Sequence, residues 1–122
     1  MITNNNPIAD IARLATSIHT TRTILRARLQ TIAESLPQIP EPVNQTVWLA
    51  DSPYYGKIEL AVSFDLGLKI HYTQPQPQYW RPENVPAYLL APAAAKVEEL
   101  LTKLQGALVA TEKEEVALAG RL

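Results

Sequence analysis

The 122-residue sequence contains no cysteine and only four glycines, two histidines, one phenylalanine and one methionine. Without cysteine there is no disulfide framework, no thiol nucleophile and no thiolate metal site, so a small core has to hold by packing alone. A reducing, cytoplasmic compartment is the expectation. The glycines form no phosphate-cradling loop, neither Walker nor dinucleotide spacing occurs, and the serines lack a G-x-S-x-G elbow. Charge of one sign is also missing: 11 Lys and Arg against 12 Asp and Glu leave a formal charge of −1. No global field therefore draws the chain to a polyanion or an anionic membrane. The first residues, Met1 to Pro7, lack a basic start followed by an apolar run, so no secretory leader is expected. The most apolar stretch, around Ala87 to Ala95, contains Pro92 and falls far short of the ~20 residues a bilayer requires, and no membrane role is expected.

What is present is an ordinary globular composition, 47% hydrophobic and 19% charged, of single-domain length. A flexible tail over residues 1–6 and one α+β domain over 7–122 are expected. Asn6 followed by Pro7 marks a helix start, since an Asn side chain caps free N–H groups and proline's fixed φ suits the first helical position. Ile11, Leu14, Ala15, Ile18, Leu25, Leu29, Ile32 and Leu36 then recur at three- and four-residue steps, one stripe of a long helix that stops at Pro37. After the extended, proline-bearing segment 37–45, a first short strand is expected at 46–50, then a turn at 51–56.

The clearest β pattern lies at 57–73, where Ile58, Leu60, Val62 and Phe64, then Leu68, Ile70 and Tyr72, alternate with polar or small residues. A hairpin with Asp65, Leu66 and Gly67 as its loop would set Val62 against Ile70 and Leu60 against Tyr72, with Gly67 left-handed. Its opposite face would carry Lys57, Glu59, Ala61, Ser63, Lys69, His71 and Thr73, a wetted surface. Residues 74–86, with four prolines, predict an irregular loop. A second long helix begins between Pro86 and Pro92, with Val97, Leu101, Leu104, Leu108, Leu118 and Leu122 on one stripe. The expected fold is thus α+β: a long helix, a two- or three-stranded antiparallel sheet with a hairpin, and a long helix.

Length then becomes an argument about assembly. A helix from Pro7 to Leu36 would reach ~45 Å, whereas strands of about seven residues span only ~24 Å. The stripe continues through the overhang, so a homodimer is expected, unless helix 1 kinks near Thr20, Thr21 and Arg22 and wraps its own core. Arg22 and Glu115 interrupt the two stripes and could pair across such an interface.

Catalytic constellations are not legible. Glu59 and Asp65 share a face but stand ~20 Å apart along the strand, too far for a carboxylate pair. His19 and His71 have no second ligand at metal spacing. No metal, cofactor or enzymatic activity is expected, although His71 leaves open a small-molecule site near the hairpin's polar face. The more unusual feature is aromatic: Trp48, Tyr54, Tyr55, Tyr79, Trp80 and Tyr88 crowd the segments around the sheet. Tyr79, Trp80, Tyr54 and Tyr55 are the candidate partner-binding residues, with closure of the end of a small core by Trp48, Trp80 and Tyr88 as the alternative. On helix 1, Arg13, Arg26 and Arg28 are the candidate nucleic-acid contacts, although the helix 1 arginines scatter around the axis rather than lining one face.

The order long helix, short strand, hairpin, long helix, with Gly56-Lys57-Ile58-Glu59-Leu60-Ala61-Val62 and Asp65-Leu66-Gly67-Leu68-Lys69-Ile70, resembles the YbaB/EbfC family of nucleoid-associated proteins. The likeness is architectural and spans most of the chain, with Gly56 and Gly67 where that family has hairpin glycines. It implies a dimer that binds DNA through its helices with little sequence preference. The chain departs from the family pattern in Ser52-Pro53-Tyr54-Tyr55, in the Gln/Pro/aromatic segment and in its sparse basic clustering. The residues themselves favour a non-enzymatic homodimeric interaction or adaptor module, with DNA binding as the alternative.

Overall fold

Asn6 opens the first element in the computed structural model, which describes residues 6–122. Its Oδ1 accepts from the Ala9 N–H at 3.1 Å, and Pro7 begins helix α1 (Pro7–Ser35). The expected tail lies, except for this capping Asn6, outside the described residues. The helix is continuous through Thr20, Thr21 and Arg22 and residues 6–21 are exposed, so it does not wrap onto its own core as the kinked alternative requires. It ends where Pro37 forces Leu36 into extended backbone, φ −71° and ψ 135°.

Four strands follow, β1 (Asn44–Ser52), β2 (Gly56–Ser63), β3 (Gly67–Tyr72) and β4 (Gln78–Trp80), paired antiparallel in chain order. A turn of 3₁₀ helix, Ala87–Leu89, leads into helix α2 (Leu90–Ala119). The architecture is α+β as expected, but with four strands rather than two or three. Within the proline-rich segment, Gln78, Tyr79 and Trp80 carry no proline and keep every N–H. They pair with Tyr72, His71 and Ile70 as a short edge strand.

The β2–β3 hairpin keeps the expected faces but not the expected register. Val62 opposes Leu68 and Leu60 opposes Ile70, because the turn falls on Phe64, Asp65 and Leu66, one residue early. Ser63 organises that turn: its Oγ accepts from the Leu66 N–H at 3.2 Å. A hydrogen bond with Ser63 also holds the Asp65 carboxyl below its ordinary value of 3.8, with Lys69 a lesser cause. The displacement is an even number of residues, so side-chain alternation survives. Gly67 takes φ +70° as the first residue of β3. In β1 the register shifts between Trp48 and Ala50. That bulge turns both Leu49 and Ala50 toward the core opposite Ile58.

Ile58, Leu60 and Val62 of β2 and Ile70 of β3 are fully enclosed against Leu90, Ala93, Val97, Leu100 and Leu104 of α2 and Leu29 of α1. Leu100 lies outside the stripe read from sequence. The sheet covers the Ala93–Leu100 side of α2 and α1 covers the Leu101–Leu108 side, so α2 buries two adjoining faces. Two cationic side chains tie the layers together. Arg26 Nη1 donates to the Pro82 carbonyl at 2.8 Å, and Lys103 Nζ donates to the Thr46 carbonyl at 2.8 Å.

Where they meet, the helices run in the same direction. His19, Arg22 and Arg26 stand beside Ala87 and Leu90; Leu25, Leu29 and Ile32 beside Val97 and Leu101; Leu36 beside Leu104 and Leu108. The unmatched ends therefore project from opposite ends of the body. Residues 6–21 are exposed without exception, and from Val109 onward only Thr111 is even half-covered.

The two left-handed glycines separate two costs. Gly67 (φ +70°) has no neighbour near an added Cβ, whereas one at Gly56 (φ +69°) would overlap Thr73 Oγ1. That hydroxyl accepts from the Lys57 N–H at 3.1 Å. Gly67→Ala is expected to cost about 1–2 kcal/mol for backbone conformation alone, and Gly56→Ala measurably more. Urea unfolding midpoints make the comparison, and equal midpoints would contradict it.

Candidate interaction surfaces

The four aromatic candidates do not form one surface. Tyr55 and Trp80 turn inward and, with Tyr72, build a cluster at the edge of the core. Tyr72 stacks on Trp80 at 4.2 Å between centroids, and Tyr55 meets both edge-on at 5.2 and 4.8 Å. The Tyr55 carbonyl accepts from the N–H groups of Thr73 and Gln74 at 3.0 Å each, which locks the β1–β2 turn against the end of β3. Of the three aromatics expected as core closure, only Trp80 serves so, since Trp48 and Tyr88 are each 52% exposed; Tyr55 closes the core unexpectedly. Tyr72, the third ring, was legible only as one more alternating strand residue.

Tyr54 is the opposite case, 79% exposed at the tip of the β1–β2 turn. Tyr79 sits on the sheet face turned away from both helices. There Lys69 Nζ lies 5.4 Å and the Arg81 guanidinium 5.9 Å from its ring centroid. The pairing of four strands sets Trp48, Glu59, His71 and Tyr79 in one cross-strand row on that face. This row spans the whole sheet, and the sequence did not reveal it because β4 and its register were not legible.

Beside the row the face is shallow at its centre. Ala61 and Ser63 are too small to rise above their neighbours, leaving an open trough of ≈ 380 Å³ lined by Thr46, Glu59, Lys69 and His71 among others. Glu59 is engaged within it, its Oε2 3.7 Å from Lys57 Nζ. Trp48 Nε1 donates to Asp51 Oδ1 at 3.4 Å. The trough beside His71 is open to solvent rather than an enclosed cavity. Among the described residues, no three His, Asp or Glu side chains gather as a metal site would.

The three arginines also separate. Arg13 lies on the exposed part of α1, Arg28 is exposed beside the α1–α2 groove, and Arg26 spends its guanidinium on the Pro82 carbonyl. They form no common patch. The larger exposed feature is apolar: Ile8, Ile11, Leu14 and Ile18 on the projecting arm of α1, and Val109, Val116 and Leu118 on that of α2. Among the described residues no helix is long and apolar enough to cross a membrane.

No protein-family model, no curated protein and no solved structure matches the chain.

The division of the aromatics is directly measurable. Trp80→Ala is expected to lower stability by about 3 kcal/mol, as for removal of a large packed ring. Tyr54→Ala should stay within about 0.5 kcal/mol of the parent. Urea denaturation followed by far-ultraviolet circular dichroism tests both, and a parent-like Trp80→Ala would return Trp80 to the surface candidates.

Proposed function

We propose that the protein is a non-enzymatic, self-associating interaction module that forms a homodimer through its projecting helices and presents the open sheet face to another protein. The observation that carries this reading is the apolar arm of α1. Sixteen consecutive residues, 6–21, are exposed, yet they include Ile8 at 79%, Ile11 at 64%, Ile18 at 50% and Leu14 at 48% exposure. Covering these side chains in two copies is worth on the order of 10 kcal/mol. The cost of association is of the same order, so the net is small and the dimer is weak and concentration-dependent, far from picomolar affinity.

The sheet face supports the second half of the reading. Its Trp48–Glu59–His71–Tyr79 row offers two large rings at the borders and polar groups between them. This is the mixed apolar and polar character common in protein-binding patches. Tyr54 adds an exposed ring in the β1–β2 turn.

A second reading, DNA binding through the helices, has exposed Arg13 and Arg28 in its favour. It requires phosphate contacts, and these weaken steeply as salt is added.

Light scattering over a concentration series from micromolar to millimolar tests the first reading. The expected particle has twice the 13.5 kDa chain mass. The double substitution Ile11→Glu with Ile18→Glu should return it to a single chain with its circular dichroism retained, because neither side chain belongs to the intrachain core. A parent protein that scatters as one chain at these concentrations defeats the reading. Retention on a DNA column that is lost with rising salt, and abolished by Arg13→Ala with Arg28→Ala, would favour the second reading.

A further inference from the structure

Both helices carry a strict seven-residue repeat of seam positions. In α1 it runs Ile8, Ile11, Ala15, Ile18, Arg22, Leu25, Leu29, Ile32, continuing to Leu36 just past its end. In α2 it runs Leu90, Ala94, Val97, Leu101, Leu104, Leu108, Thr111, Glu115 and Leu118. Alternating three- and four-residue steps are the spacing of a two-helix seam. Inside the body the seam is occupied: Leu25, Leu29 and Ile32 meet Val97 and Leu101, and Leu36 meets Leu104 and Leu108. Beyond Arg22 toward the N-terminus it continues in the same phase, with no helix opposite among the described residues.

We infer that the α1 arm of a second copy occupies this seam, antiparallel, so that Ile8 of each copy packs on Ile18 of the other and Ile11 on Ala15. The inference rests on the self-association proposed above and specifies its geometry. Three observations lead to it. The empty seam is a continuation of one already packed, so the same side-chain spacing serves a second helix. An antiparallel pair related by a twofold axis closes on itself and leaves no unpaired copy of the surface, as isologous contacts do. The alternative occupant, the α2 arm, breaks its own seam with Thr111 and Glu115, whereas the α1 arm offers Ile8, Ile11, Ala15 and Ile18 without interruption.

The register follows from the ends of the seam. Matching Ile8 to Ile18 brings the partner's helix tip level with His19, just short of Ala87 and Leu90, which stand beside His19, Arg22 and Arg26. Sliding the partner one heptad toward the body would drive its tip into the Ala87–Leu89 turn and set Arg22 against Ile11, a charge against an apolar layer. Sliding it one heptad away would leave only Ile8 and Ile11 facing each other. Arg22 thereby acts as the stop that selects one register, in the manner of a polar residue in a coiled-coil seam. In this register it lies beyond the last layer and does not face Glu115.

Absence of cysteine makes a cross-linking test direct, because every thiol is the one introduced. A tagged Ile8→Cys chain is mixed with an untagged Ile18→Cys chain and oxidised without reduction of the fold. The expected product is a mixed covalent dimer, while Ile8→Cys alone gives none, since its two copies would lie about ten residues of helix rise, ~15 Å, apart. Efficient self-linking of Ile8→Cys would mean parallel arms, and linking only to Leu118→Cys would mean an α2 occupant. Either result overturns the inference, as does a dimer by light scattering that links through none of these pairs. If the parent scatters as a single chain, the self-association reading itself falls.

Discussion

The parallel seam between α1 and α2 is shorter than either helix, and most of the molecule's character follows from that mismatch. The helices are 29 and 30 residues long, about 45 Å each. The longest strand has 9 residues, or roughly 30 Å. Two antiparallel helices of this length could cover one another from end to end. Because these two run in the same direction and are offset along their axes, each covers only half of its partner, and an arm is left at each end. The direction is set by the chain's return from the sheet. After β4 the segment 81–86 passes Arg26, which holds the Pro82 carbonyl, and delivers the start of α2 to the level of Arg22–Arg26 rather than to the end of α1.

The sheet answers a different constraint. Its inner face is closed by the helices, and Ile58, Leu60, Val62 and Ile70 reach complete burial there. Its outer face has no covering layer among the described residues, yet Ala61 and Ser63 are themselves buried, because longer side chains on either side overhang them. A small residue in a central strand costs little on a face that only water or a partner touches. It opens a trough that a larger residue would fill. The same Ser63 supplies the hydroxyl that fixes the hairpin turn, so one residue links register on the strand to relief on the surface.

Much of the frame was legible in the sequence, for identifiable reasons. Asn6, Pro7 and Pro37 bracket α1 because capping and proline chemistry act locally, and the structure places the helix within a residue of those limits. Gly67 adopts the left-handed backbone expected of it, and the alternation of Ile58, Leu60 and Val62 identifies the buried face. The hairpin register was not legible, since an even displacement leaves every apolar residue on the correct face and alternation cannot detect it. Strand β4 was hidden because proline density at 75, 77 and 82 dominates a window in which only Gln78, Tyr79 and Trp80 are competent to pair. The surface row that depends on β4, and the inward rotation of Trp80, were hidden with it. Burial of Leu100 beside Leu101 was likewise out of reach, because a single helical stripe does not describe a helix packed on two sides.

Cohesion of the body is separable from the covering of the α1 arm. None of residues 6–21 belongs to the buried core, so the body's cohesion does not depend on the arm being covered. The arm's helicity, in contrast, does need support, since an isolated helix of about fifteen residues is marginal in water. One source is continuity with the anchored half of α1, where Leu29 is buried and Arg26 is tied to Pro82. Another is the Asn6 cap at the far tip, which satisfies the Ala9 N–H well away from any tertiary contact. A cap at that distance does nothing for the core. It holds Ile8 and Ile11 in helical phase with Ala15 and Ile18, and that phase matters physically only when another helix has to read all four in a line.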